Sequence, residues 1–389
     1  MLRIALIGQK GFPATWGGVE VHVDEVARRL AARGHQVVVF NRRWYAPGGQ
    51  GTAGAVTVVD VPTIRSRSLD AISHSLLSTF SALQRNLDVF HYQCMGPSLP
   101  APLPRLARKA VIATIHGFDY RAAKWGMCAR AALRVGEFIA LRVPQRTIVV
   151  AEHLRAHYAA RGHDTLVVPN GVTPSASVEP DEIRRRWGLT RDSYILWIAR
   201  LEPDKRAHTL IEAFSAWRNA HPDTEVRLVI AGPLVAGNRY ISALRGSAGQ
   251  GVVFVDEAAG STKAELLANA RGVVFPSRFE GLPISLLEAM SAGRAVLVSD
   301  IPAHREVVPL TAGLFCDASS VAGLTEGVER LLALSLEQRA VLGVAATRVA
   351  AGYSWDKAAL ALEGVYRDAL RSVQSRARGQ AASIDSVLP

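Results

Sequence analysis

The chain has 389 residues, 49% hydrophobic and 20% charged, with a formal net charge of +11. That length and composition fit two globular domains with cores of their own and exclude a disordered or fibrous chain. No uncharged apolar stretch reaches the ~20 residues that span a bilayer, and Cys94, Cys128 and Cys316 lie too far apart for a disulfide framework or a zinc site.

The run Leu2 to Ile7 is too short for a signal peptide, so with this cysteine usage the expected location is the cytoplasm. The positive balance invites an anionic partner: nucleic acid, a membrane surface or a phosphorylated substrate.

Arg3 to Ile7 is an apolar run that predicts a first parallel strand, followed by a loop with Gly8, Gly11, Gly17 and Gly18. Val19 to Arg33 has helical spacing and stops at Gly34. Gln36 to Phe40 completes a βαβ unit, whose ligand end lies at the strand C-termini. Val56–Val61, Asp88–Tyr92, Ala110–Ile115, Thr147–Val150 and Thr165–Val168 predict further strands. Leu69 to Leu83 predicts a helix, and Arg121 to Arg142 a long basic amphipathic helix carrying Lys124, Trp125, Arg130 and Arg134. His153 and His157 lack the glutamate of a zinc-protease helix and are read as helix-surface residues.

The second half repeats the alternation. Strands are expected at Tyr194–Ile198, Val226–Ala231, Gly251–Val255, Gly272–Pro276 and Ala295–Ser299. Helices are expected at 208–219, 262–270, 324–334, 336–350 and 355–372. Between the last two strands, Pro283 suits the first position of a short helix and Gly293 its C-terminal cap. The fold class is therefore α/β, with two Rossmann-like parallel-sheet domains whose strand C-termini face a central cleft. The domains are placed at 1–173 and 174–352, with a helix at 353–372 crossing back to the first and a disordered tail at 373–389.

Absences narrow the chemistry. The loop after the first strand is not a G-x-G-x-x-G dinucleotide fingerprint, and the sequence has no P-loop Gly-Lys, no D-x-D metal clamp and no G-x-S-x-G elbow. The remaining groups suit a diphosphate. Gly17 and Gly18 bring backbone amides close to an oxyanion. Arg200 and Lys205 follow a strand. The helix after Pro283 offers the amides of Leu282 and Ile284, beside Gly281. Two carboxylates, Glu280 and Glu288, flank that same helix terminus, which is an odd setting for an anion.

The segment Phe279-Glu-Gly-Leu-Pro-Ile-Ser-Leu-Leu-Glu-Ala-Met290 resembles the signature of retaining GT-B glycosyltransferases of family 4 (group 1). The resemblance extends, in order and spacing, to Gly17-Gly18, His116-Gly-Phe-Asp119, Pro169-Asn170-Gly-Val172 and Ala199-Arg-Leu-Glu-Pro-Asp-Lys205. It covers about residues 3 to 372. The loop Gly8 to Glu20 is similar to a subgroup that includes bacterial rhamnosyltransferases.

The resemblance implies a nucleotide-diphosphate sugar as donor, and a hexosyl group moved to a glycan or lipid-linked acceptor with retention. It implies no metal and no cofactor. It places Glu280 on sugar hydroxyls, Glu288 on the ribose, Arg200 and Lys205 on the phosphates and His116 beside the sugar, with Asn170 on the donor side. Four negative charges against two cations and a helix end worth about half a charge also argue that the glutamates avoid phosphate. Ala258 and Lys263, after the strand ending at Val255, are candidates for the base. Catalysis is assigned to Glu280, His116, Arg200 and Lys205.

The basic helix makes an anionic membrane a candidate partner, with the enzyme peripheral on the inner face of the plasma membrane. The role expected is surface polysaccharide or glycolipid assembly. The competing readings are a nucleotide-sugar epimerase on the same fold and a basic nucleic-acid-binding protein. The sequence contains no familiar nucleic-acid module, so nucleic acid is not an expected partner.

Overall fold

The computed structural model describes the chain except residues 46–50, 67–68, 175–177, 236, 257 and 386–389, with side chains described to residue 375. Part of the expected interdomain segment, one residue of the loop expected to hold the base and the end of the tail lie outside the described residues. The chain divides into two compact units, Met1–Asn170 with Trp355–Pro389, and Gly171–Ser354.

The first unit runs β1 (Arg3–Ile7), α1 (Gly18–Ala32), β2 (Gln36–Arg42), β3 (Gly51–Ala53), β4 (Val56–Val61), α2 (Asp70–Gln84), β5 (Val89–Gln93), α3 (Pro102–Leu106), β6 (Ala110–Ile115), α4 (Met127–Arg142), β7 (Arg146–Val149), α5 (Glu152–Ala159) and β8 (Leu166–Val167). Among the described residues its sheet has the order β3-β4-β2-β1-β5-β6-β7-β8. All pairs are parallel except β3 with β4. Central β1 pairs Ala5 with Val38 on one side and with Phe90 on the other.

Because helices cover both faces, the central strands read as continuous apolar runs rather than alternating ones. Ala82 and Leu83 of α2 and Ile139 of α4 pack on one face, with Ile7, Phe40, Phe90 and Tyr92.

The second unit runs α6 (Asp181–Trp187), β9 (Tyr194–Ile198), α7 (Ala207–Ala220), β10 (Arg227–Ala231), α8 (Arg239–Ser247), β11 (Val252–Val255), α9 (Gly260–Asn269), β12 (Gly272–Phe275), α10 (Ile284–Ser291), β13 (Val296–Ser299), α11 (Pro302–Val307), β14 (Leu314–Cys316), α12 (Val321–Ala333) and α13 (Leu336–Ala350). Its all-parallel sheet has the order β11-β10-β9-β12-β13-β14. Trp197, Leu210, Phe214, Leu324, Val328 and Leu331 pack together in its core. Then α14 (Trp355–Asp385) returns to the first unit, where Trp355, Leu362 and Tyr366 are buried.

Three expectations need correction. The basic helix does not begin at Arg121. Residues Asp119–Arg121 form a short 3-10 turn, Ala122 is extended, and Gly126 caps α4 in an extended conformation. Lys124 and Trp125 are therefore on a loop. The tail expected to be disordered from 373 continues as helix to Asp385, as its Ala-, Arg- and Gln-rich sequence allows. Pro283 is not the first helical residue but the N-cap, with ψ 109°. The expectations contained no β3, α3, α6, α8, α11 or β14. Each has nine residues or fewer, too short for periodicity to show.

Candidate active site

In the second unit, β9 and β12 are neighbours, so the loops leaving their C-terminal ends meet. The Arg278 amide donates to Asp204 O at 2.9 Å, tying the loop after β12 to that after β9. The Trp197 indole N–H holds Lys205 O at 3.2 Å, and Arg206 turns the chain into α7 with φ 54°. This seats Lys205 on the Glu280 carboxylate.

Ser277 donates its hydroxyl to Glu280 Oε1 at 2.7 Å. The Ser277 carbonyl in turn accepts from the Ser299 hydroxyl at 2.6 Å. Burial acts to raise the Glu280 pKa, but Lys205, His304 and Ser277 together hold it below the ordinary carboxylate value. Arg200 is held beside Glu202 at 3.2 Å.

Glu288 sits in the second turn of α10. Lys263, on α9, donates to Glu288 Oε1 at 2.6 Å. The other carboxylate oxygen, Oε2, is buried and has no hydrogen-bond partner among the described residues. The helix start leaves further groups open. The Leu286 and Leu287 amides both reach Pro283 O, whereas those of Ile284 and Ser285 donate to no acceptor among the described residues.

Gly281 and Leu282 lie in the turn before this helix, and Leu282 and Ile284 are buried. Gly293 ends α10 at φ 68°. Its amide reaches Met290 O and that of Arg294 reaches Ala289 O, a Schellman closure. Ala258 is half-buried just ahead of α9, in a loop whose Asp256 accepts from the Leu234 amide at 2.8 Å.

In the first unit, Gly17 caps α1 at φ 106°. A Cβ there would stand 2.0 Å from Glu20 Oε2, so a side chain would have to displace that carboxylate. Glu20 is buried and also accepts from the Lys10 amide at 3.1 Å. The terminus beginning at Gly18, expected to receive an oxyanion, thus already carries a carboxylate of its own. His116 closes β6, and its Nε2 is 2.8 Å from Gln93 Oε1. Asn170 Oδ1 lies 2.9 Å from His22 Nδ1, and the His22 ring stands edge-on to His116 at 4.8 Å.

The two units carry separate sets of the expected residues. The second holds Arg200, Lys205, Ala258, Lys263, Glu280, Gly281, Leu282, Ile284 and Glu288; the first holds Gly17, Gly18, His116 and Asn170.

Residues 179–349 match the family described as Glycosyl transferases group 1, and residues 16–176 match Glycosyltransferase Family 4. The chain belongs to these glycosyltransferases. It is 27% identical to the D-inositol 3-phosphate glycosyltransferase of Acidothermus cellulolyticus, over 94% of this chain and 89% of that one. It is 24% identical to the glycogen synthase of Mycobacterium tuberculosis, over 95% of each. Among solved structures, sucrose-phosphate synthase from Thermosynechococcus elongatus superimposes with a TM-score of 0.80 at 19% identity, covering 96% of this chain and 100% of that one. HepE from Anabaena, solved with UDP-glucose, gives 0.75 at 17% identity, covering 95% and 100%. These likenesses show the GT-B fold, two parallel-sheet α/β domains.

The sequence reading of the glycosyltransferase missed Gln93, His22, Glu20, Ser277 and His304. A polar residue directly after a buried strand run was the available signal for Gln93, and a histidine on the apolar stripe of a helix for His22. His157 is more than a helix-surface residue: its ring packs 4.4 Å from Phe118, and burial, then Arg161, Arg121 and Arg134, push it down to about 4.

Proposed function

We propose that this glycosyltransferase moves a hexosyl group from a nucleotide-diphosphate sugar to an acceptor hydroxyl with retention and without a metal. The observation that carries the reading is the buried Glu288 Oε2. An acceptor buried without a donor costs about 1–3 kcal/mol, and a ribose hydroxyl supplies the missing donor. Lys263 holds the other oxygen. Glu280, neutralised by Lys205, accepts from hydroxyls of the sugar. An ammonium has three N–H donors, so Lys205 serves Glu280 and a phosphate oxygen together, alongside Arg200 and the Ile284 and Ser285 amides.

The bond from the anomeric carbon to the diphosphate oxygen breaks, and the acceptor oxygen bonds to that carbon on the same face. Its proton passes to the departing phosphate. Cations and amides aimed at the leaving group stabilise the charge that develops there. The products are a glycoside and a nucleoside diphosphate. HepE was solved with UDP-glucose, which supports a nucleotide-sugar donor. A thermal-shift screen of UDP, GDP, ADP, dTDP and their sugars tests this, since a ligand stabilises by mass action. Stabilisation by one nucleotide series, with acceptor-dependent release of its diphosphate, is expected; no stabilisation by any of them defeats the proposal.

The acceptor is proposed to be lipid-linked and met at an anionic bilayer, in surface polysaccharide or glycolipid assembly. Met127 (86% exposed), Val135 and Phe138 stand out on α4, and Leu76, Leu77 and Phe80 on α2. Both helices pack their other sides on the same face of the sheet. Arg130, Arg134 and Arg142 are exposed among the α4 apolar residues, as an amphipathic interfacial face requires. No helix of the described residues is long and apolar enough to cross a membrane. Flotation with vesicles containing anionic lipid, lost in salt and in Phe138→Asp, is expected; salt-insensitive or absent binding removes the membrane from the proposal.

A further inference from the structure

His116 is the one site candidate whose ring is held entirely by side chains that no expectation named. Gln93, at the C-terminal end of β5, pairs in register with Thr114 of β6 and is 1% exposed. Its Oε1 lies 2.8 Å from His116 Nε2. An amide oxygen only accepts, so Nε2 carries the proton and Nδ1 keeps its lone pair. Nδ1 makes no hydrogen bond among the described residues, and the residue as a whole is only partly buried.

The other face of the ring is fixed as well. The edge-on His22 ring is itself held by Asn170 and packs against Trp355 at 5.8 Å. Behind them His91 bridges the Tyr366 and Thr114 hydroxyls, each at 2.7 Å. Burial first, then mutual repulsion, keeps His116 well below the ordinary histidine value. The ring is therefore neutral at neutral pH, and the identity of its proton-bearing nitrogen decides what it recognises.

We infer that Gln93 is a positioning residue for His116: it fixes the imidazole in the tautomer protonated on Nε2, so that Nδ1 accepts a hydrogen bond from a hydroxyl of the transferred sugar. The sugar as ligand rests on the transferase reading above; the tautomer rests on the Gln93 amide turning its oxygen to the ring. The other tautomer would present N–H there, and the same hydroxyl would then accept instead of donating.

The experiment is 15N NMR of the full chain labelled at histidine, with His116 assigned by its loss in His116→Gln. The wild type should show a protonated Nε2 and an unprotonated Nδ1. Gln93→Leu removes the acceptor at similar volume and should mix the tautomers, lowering kcat/KM for the donor about tenfold. Gln93→Glu keeps an acceptor and adds a charge. It should restore the Nε2–H tautomer and move the His116 titration and the acid limb of the pH–rate profile upward. A protonated Nδ1 in the wild type overturns the inference, as does an unmoved His116 spectrum in folded Gln93→Leu. If Gln93→Leu does not fold, an unshifted His116 titration in Gln93→Glu overturns it.

Discussion

Lys263 Nζ donates to one oxygen of Glu288 at 2.6 Å, while the second oxygen of the same carboxylate is buried with no donor among the described residues. In the proposed function the pair is half a binding site: one side is held by Lys263, and the other takes a ligand hydroxyl. Glu288→Gln should lower affinity for the preferred nucleoside diphosphate about tenfold, by loss of a charged acceptor. Calorimetric titration measures it, and unchanged affinity would detach Glu288 from the ribose.

Glu280→Gln should separate binding from turnover. The nucleotide should still bind, because the contacts proposed for it lie with Glu288, Lys263, Arg200, Lys205 and the α10 amides rather than with Glu280. The kcat should fall by about 100-fold or more, as expected when a group aimed at the reacting sugar is removed. Wild-type kcat would take Glu280 away from the sugar.

The Lys205–Glu280 pair also has a pH signature. Its carboxyl sits below the ordinary 4.5, so its contribution to stability is fully present above that value and is lost as pH falls through the lower folded pKa. Melting temperature followed from pH 7 to 3 should show no difference between wild type and Glu280→Gln in pH slope above about 5, and a steeper wild-type fall below it.

Two histidines act at higher pH. Burial pushes His22 down to about 4 and His91 to about 3, so folding excludes protons that the unfolded chain binds. Their stabilisation is complete above the ordinary 6.5 and is lost as pH falls through the folded values. His91→Asn should flatten the decline in melting temperature between pH 6.5 and 4; an unchanged slope would mean that His91 is already charged in the fold.

Gly17→Ala should harm the first unit more than an ordinary surface change. The φ of 106° and the Glu20 oxygen 2.0 Å from a new Cβ force both backbone strain and displacement of that carboxylate, together costing about 1–3 kcal/mol. Chemical denaturation reads this directly.

Much of this architecture is visible in the residues themselves. Ile4 to Ile7, Ile195 to Trp197 and Leu228 to Ala231 are buried runs that only a doubly covered parallel sheet explains. Gly17 and Gly293 stand where positive φ is required. The pairings were not visible. Lys205 was expected on phosphate and Lys263 at the base, yet each meets a glutamate, 75 and 25 residues away. Such partners depend on which strands neighbour β9 and on how α9 lies against α10, and neither is written in local spacing. Gln93 and His22 escaped for the same reason: strand order brings β5 beside β6, and the rotation of α1 turns His22 inward. The helix at Arg121 failed differently, because Gly126 delays the start by a turn and a half.

The Val172 amide bonds to Tyr353 O at 3.1 Å, so the segment 171–354 leaves and rejoins the rest of the chain at adjacent points, while the first unit is assembled from both ends of the sequence. Order of synthesis follows from that. During translation the second unit is complete before the first, whose β6 and His91 stay uncovered until the final helix leaves the ribosome. A nascent chain that has emerged only as far as Ser354 would therefore carry one finished domain and one exposed sheet face, the form most in need of a chaperone.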